Sequence, residues 1–187
     1  MLECASFGAT ESTPKEIEVV CVKYGTKYGA DYVNKLYWGV KEHLTVPHSF
    51  SCFTEDPTDL DPAIQIKPLK HAWKGWWSKV HIFDSQQYAK GGDTLVFYID
   101  LDMIISGSLD EICNCMTAPD FTFATLSTDE IFCETAEIGY NSSIMLFKVD
   151  QVEHLYQTLA RYYDVMLKFL MRFDHYLEML VWDAGLL

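Results

Sequence analysis

The chain alternates short, continuous apolar runs with longer stretches in which apolar side chains return every three or four positions. The runs at 17–22, 49–54, 64–69, 94–99, 121–126 and 142–147 predict buried strands, rich in Val, Ile and Phe. Helical spacing places Tyr32, Val33, Leu36, Tyr37 and Val40 on one face of a helix over 32–44. A second helix is predicted over 74–84, carrying Trp76, Trp77, Val80, Ile82 and Phe83. After Asp150 the helical pattern continues almost to the end through Leu155, Leu159, Tyr162, Met166, Phe169, Phe173, Leu177 and Leu180.

Punctuation separates these elements. Glycines break the first strand from the first helix across residues 23–29, Glu55-Asp56-Pro57 closes the second strand, and Gly91-Gly92-Asp93 turns into the fourth. Residues 1–15 mix Ser, Thr, Gly, Glu and Pro without a period, which predicts a flexible N-terminal tail. Strand and helix in alternation predict an α/β fold with a mostly parallel central sheet flanked by helices. With no repeat and no low-complexity linker, residues 16–187 read as a single domain.

Composition narrows the partners. At 187 residues, 49% hydrophobic and 14% aromatic, the sequence is that of an ordered globular domain. A net charge of −13 argues against nucleic acid or an anionic membrane surface as the main partner. It leaves room for an anionic small molecule, because a bound divalent cation reverses the sign of a local site. No run is long enough for a transmembrane segment. The six cysteines are scattered, without zinc-knuckle spacing, and the N-terminus lacks the order of a secretory signal. A reducing, cytoplasmic setting is the expectation. Cys113 and Cys115 are read as buried or free thiols rather than soft-metal ligands.

The richest segment is Tyr98-Ile99-Asp100-Leu101-Asp102-Met103-Ile104. A buried strand ends in two carboxylates one residue apart, and a period of two puts Asp100 and Asp102 on one face with Leu101 turned to the other. The carboxyl end of a strand is where open α/β sheets place ligands. Two neighbouring carboxylates repel unless a cation sits near them, and hard oxygen donors favour magnesium or manganese. On spacing alone the alternatives are a metal site or the start of a solvated loop. Burial of the preceding run favours the metal, as does a helical N-terminus expected in Ser106-Gly107-Ser108-Leu109-Asp110-Glu111-Ile112.

This segment resembles the Asp-x-Asp region of the GT-A-fold glycosyltransferases, most closely the glycogenin-like and bacterial galactosyltransferase-like group. The resemblance runs from about residue 17 to about residue 180. It implies a Rossmann-like GT-A (nucleotide-diphospho-sugar transferase) fold and a metal-dependent, retaining transfer of sugar from a nucleotide-diphosphate donor, of the UDP-sugar type. Asp100 and Asp102 would bind Mn2+ or Mg2+ at the diphosphate, with Leu101 between them also at the donor. The family's opening strand leads into a loop that cradles the base, here offering Tyr24 or Tyr28 as the stacking ring. Ser78-Lys79-Val80-His81-Ile82-Phe83 is similar to the family's Thr-Lys-Leu-x-x-Trp pattern, so Lys79 would neutralise phosphates or orient Asp100. Trp73, Trp76 and Trp77 beside it offer either a sugar platform or core packing.

Gly139-Tyr140-Asn141-Ser142-Ser143 is similar to the family's Phe-Asn-Ser-Gly entry, which puts Asn141 and Ser142 at the donor sugar, with Ser143 where the family has glycine. Asn141-Ser142-Ser143 is also formally a glycosylation sequon, discounted without a secretion signal. Arg172-Phe173-Asp174-His175-Tyr176-Leu177 aligns loosely with Gly-Asp-Gln-x-x-Leu, making Asp174 the candidate catalytic carboxylate. The family's late His-x-x-Gly-x-x-Lys-Pro segment, source of a third metal ligand, has no counterpart. The expectation is a chain lacking that C-terminal segment, with an incomplete metal shell. The acceptor, whether sugar, lipid or protein, is left open. Two other readings are a GT-A-fold module that binds a nucleotide sugar or partner without turnover, and an Asp-x-Asp phosphohydrolase. The second usually carries its aspartates near the N-terminus.

Overall fold

A computed structural model describes residues 16–128, 139–181 and the backbone of 185–186. The tail expected over 1–15 lies outside the described residues. The chain runs β1 (Ile17–Lys23), α1 (Ala30–His43), β2 (His48–Thr54), β3 (Gln65–Lys67), a 3-10 segment (Gly75–Phe83), and β4 (Leu95–Ile99). It continues through α2 (Asp110–Cys113), β5 (Phe123–Thr128), β6 (Gly139–Lys148), α3 (Val149–Met166), α4 (Phe173–Leu180) and β7 (Gly185–Leu186).

The strands form one sheet in the order β3-β2-β1-β4-β6-β5-β7. β1 pairs in parallel with β2 and β4, and β2 with β3. β6 runs antiparallel to both β4 and β5, so the sheet is mixed rather than mostly parallel. A strand covered on both faces is apolar throughout whichever way it runs, so its direction is invisible in the local pattern.

Alternation along the central strands divides the core. Val96 and Tyr98 of β4, with Met145 and Phe147 of β6, pack against α3, α4 and the 3-10 segment. Phe97 and Ile99, with Ile144 and Leu146, join Val33, Leu36 and Val40 of α1 on the other face. α1 buries Val33, Leu36 and Val40 of its predicted stripe and α3 buries Leu155 and Leu159, while Tyr32, Tyr162 and Phe169 of the predicted positions are exposed.

Two helical expectations change form. The stretch at 75–83 is 3-10, not α, with a three-residue repeat that buries Trp77, Val80 and Phe83 on one side and Ser78 and His81 on another. His81 is fully buried because both ring nitrogens are satisfied: Nδ1–H donates to the Ser78 carbonyl at 2.9 Å, and Nε2 accepts from the His71 amide at 3.0 Å. The long C-terminal helix is two, α3 and α4, joined by an irregular stretch whose Leu170 anchors it in the core.

Candidate functional site

From β1 the chain moves outward to β2 on one side and later returns to place β4 on the other. Adjacent strands whose connections leave in opposite directions open a crevice at their carboxyl ends. The loop after β1 and the turn after β4 line that crevice. It is a cleft of about 480 Å³ walled by Tyr24, Gly25, Lys27, Tyr28, Trp76, Lys79, Tyr98, Asp100, Leu101 and Asp102, among others.

β4 ends at Ile99, and the Met103 amide closes a turn onto the Asp100 carbonyl at 3.2 Å. Asp100 and Asp102 therefore meet the cleft through a turn rather than strand alternation. Leu101 between them is 6% exposed and joins the core, so its contribution to the cleft wall sits at the root of the turn.

Asp100 is held from two sides. Lys79 Nζ lies 2.8 Å from its carboxylate, in a pair whose side chains are 16% and 19% exposed. The Tyr98 hydroxyl donates to Oδ1. Burial and the adjacent Asp100 charge push the Tyr98 pKa well up, which keeps that proton on the phenol. Sequence reasoning did not assign Tyr98 a role. The signal was present, because residues two apart in a strand share a face.

Asp102 is more open and accepts from the Tyr28 hydroxyl at 2.6 Å. That bond is the main cause of the raised Tyr28 pKa. Lys27 sits 4.6 Å over the Tyr28 ring and was also missed. The loop is shaped by Gly25, at φ +65°, whose amide donates to Glu55 Oε1 at 2.6 Å. Buried Lys23 fastens its base by donating to the Asp56 carbonyl at 3.1 Å.

Asn141, Ser142 and Asp174 form a second group that is not part of this wall. Asp174, in the first turn of α4, accepts from the Ser142 amide at 2.9 Å, and Asn141 Oδ1 accepts from the Ser143 amide at 3.0 Å. The group is tied to the cleft through the backbone, since the Asp100 amide donates to the Ser143 carbonyl at 2.9 Å. Ser142 is buried and Asn141 exposed.

Among the described residues no group of three or more His, Cys, Asp or Glu is gathered for a metal. The two cleft carboxylates nevertheless suit a magnesium-type ion, which takes one or two protein carboxylates and completes its shell with water and substrate phosphate. Cys21, Cys52, Cys113 and Cys115 are buried and none of them forms a disulfide. Burial pushes the Cys113 thiol up to about 12, and the Cys115 Sγ donates to the Ile112 carbonyl at 3.0 Å, so these behave as thiols.

The α/β sheet, with its cleft at the switch point beside the paired aspartates, has a glycosyltransferase fold. This fold is shared with two crystal structures of the glycosyltransferase GlyE from Streptococcus pneumoniae TIGR4. One aligns at a TM-score of 0.64 with 15% identity, over 91% of this chain and 44% of GlyE. The other, the apo form, aligns at 0.58 with 16% identity over the same shares. The chain thus spans less than half the length of these proteins, and at this identity the likeness is one of fold. No protein-family model and no curated protein matches the sequence. Among the described residues no helix is long and apolar enough to cross a membrane.

Proposed function

We propose that the chain is a GT-A-type, metal-dependent glycosyltransferase domain that moves a sugar from a UDP-type nucleotide sugar to an acceptor hydroxyl, with retention at the anomeric carbon. The observation that carries this reading is the convergence of Lys79, Asp100, Asp102 and Tyr28 on one cleft of a glycosyltransferase fold.

The loop tyrosines receive the base, with Tyr24 free to stack and Tyr28 fixed by its bond to Asp102. Lys79 supplies the positive charge that offsets the diphosphate as the glycosidic C–O bond breaks, and its bond to Asp100 holds it in place beforehand. Asp100 and Asp102 would hold Mn2+ or Mg2+, which when bound supplies Lewis-acid stabilisation of the leaving group. The group around Asn141 and Asp174, tied to the Asp100 amide through the Ser143 carbonyl, is the side we assign to the anomeric carbon and the acceptor. Asp174 is then the carboxylate nearest that chemistry.

A nucleotide-sugar-binding module without turnover is the second reading. It is favoured by the engagement of Asp174 with the Ser142 amide, which leaves that carboxylate partly committed to structure. An Asp-x-Asp phosphohydrolase is disfavoured, because the pair follows the fourth strand in chain order and sits in a glycosyltransferase fold.

Calorimetry with UDP and UDP-sugars, with and without Mn2+, tests the central claim. Wild-type protein should bind UDP in a manganese-dependent way, and Asp100→Ala/Asp102→Ala should not. Unaltered binding by the double variant removes the claim. Donor hydrolysis or transfer separates the enzyme from the binding module.

A further inference from the structure

We propose that Trp76 is the platform for the pyranose ring of the donor sugar, so that the cleft reads its ligand in a fixed order. The base lies against the loop over 24–28, the diphosphate at Lys79 and the aspartates, and the sugar ring against the indole. The inference rests on the nucleotide-sugar reading of the same cleft and adds to it a subsite and a residue that sets sugar affinity.

Three tryptophans fall within five positions, and the fold gives them different work. Trp73 and Trp77 are each 4% exposed. Trp73 stacks on His71 at 4.4 Å, and Trp77 meets Tyr176 edge-on at 5.7 Å, so both are core. Trp76 is 51% exposed and stands in the wall of the cleft. An indole half exposed on the cleft wall gains little from the fold itself and offers its face to a ligand in the cleft.

Its position is fixed by two features. In a 3-10 segment residues three apart share a side, so Trp76 and Lys79 face the same way and both line the cleft. Immediately before it, Gly75 adopts φ +60° with open space where a Cβ would be. This left-handed residue turns the chain into the segment, in which residue 76 lines the cleft while residue 77 enters the core. Buried Ser78 locks that entry by donating to the carbonyls of Trp73 at 3.1 Å and Gly75 at 2.9 Å.

The lining therefore combines aromatic rings, Tyr24 and Tyr28 on the β1 loop and Trp76 on the 3-10 segment, with the charged groups Lys79, Asp100 and Asp102. A nucleotide sugar offers the matching set of flat base, charged diphosphate, and a ring with an apolar C–H face. That face pairs with an aromatic plane by dispersion and water exclusion, while the hydroxyl rim stays hydrated.

The test compares UDP with UDP-glucose and UDP-galactose by calorimetry in the presence of Mn2+, on wild-type, Trp76→Ala and Trp76→Phe proteins of matched melting temperature. The expected result is that Trp76→Ala weakens at least one UDP-hexose by roughly fivefold to tenfold, the size of one aromatic contact, and leaves UDP unchanged. Trp76→Phe should retain most of the affinity. Equal weakening of UDP and UDP-hexose would place the base at Trp76 and overturn the proposal. So would an unchanged ratio between them. Wild-type protein that binds neither ligand removes the nucleotide-sugar reading itself, an outcome distinct from both.

Discussion

Asp174 is an anchor in the fold and the proposed catalytic carboxylate, and one pair of substitutions tells the two apart. Its Oδ1 accepts the Ser142 amide at 2.9 Å and lies in the first turn of α4. A hydrogen bond to an ionised acceptor contributes about 1.5–3 kcal/mol, and a carboxylate at a helix N-terminus about 0.3–1 kcal/mol more. Asp174→Ala loses both and leaves the Ser142 amide without its acceptor, so a destabilisation of about 2–4 kcal/mol is expected. Asp174→Asn keeps an oxygen in place and should cost only about 1 kcal/mol. Urea unfolding followed by far-UV circular dichroism reads this directly, with the slope of the transition unchanged. Asp174→Ala within about 0.5 kcal/mol of wild type would refute the anchoring argument. The chemical role is read separately, by initial rates of donor hydrolysis or transfer. If Asp174 is the carboxylate at the reacting sugar, the asparagine variant folds but loses turnover by about a hundredfold or more. Full turnover in that variant would reduce Asp174 to an anchor.

The other predictions address neighbouring parts of the molecule. On the proposed function, Lys79→Ala would remove one charge-assisted contact to phosphate and should weaken UDP roughly tenfold to a hundredfold by calorimetry, with Lys79→Arg intermediate; unchanged affinity would take Lys79 out of the donor site. On the far side of β1, Lys67 and Glu18 form an ion pair with side chains 9% and 12% exposed, and Glu18 also accepts from Ser51 at 2.6 Å. Lys67→Met strands that carboxylate and should cost about 3–5 kcal/mol in urea, much of it recovered by Lys67→Met/Glu18→Gln; equal losses would show the pair to be uncoupled. Burial holds the His81 pKa below its ordinary value, so the unfolded chain binds a proton that the folded chain refuses. Its contribution to stability is complete above about pH 6.5 and declines as pH falls from there towards the folded value. Melting temperatures at pH 7.5 and 5.5 should differ less in His81→Gln than in wild type, and an equal difference would exclude His81 as a source.

Much of the frame was written into the local pattern. Short apolar runs located β1, β2, β4 and β6, and period-3.6 spacing located α1 and α3, because burial of one stripe or of two faces leaves a direct trace in residue order. Strand alternation put Tyr98 beside Asp100, although only the folded chain showed the phenol bonded to it. Asp100, Asp102, Tyr24, Tyr28 and Lys79 were all legible as site candidates, and the fold gathers them in one cleft. Leu101 was placed at the donor, and its side chain belongs to the core.

What the sequence could not contain was anything set by contacts between distant segments. The direction of β6 depends on how its connections cross the sheet, not on its own residues, so the sheet proved mixed. Whether 75–83 winds as 3-10 or α turns on which two of its sides are covered, and that choice put Trp76 rather than Trp73 or Trp77 on the cleft. The Asp174–Ser142 bond joins α4 to β6 across thirty-two positions and exists only because α4 packs against β6. Residue order thus determined which side chains were available for chemistry. Tertiary packing decided which of them meet, because their distances are fixed by strand order and helix packing rather than by spacing along the chain.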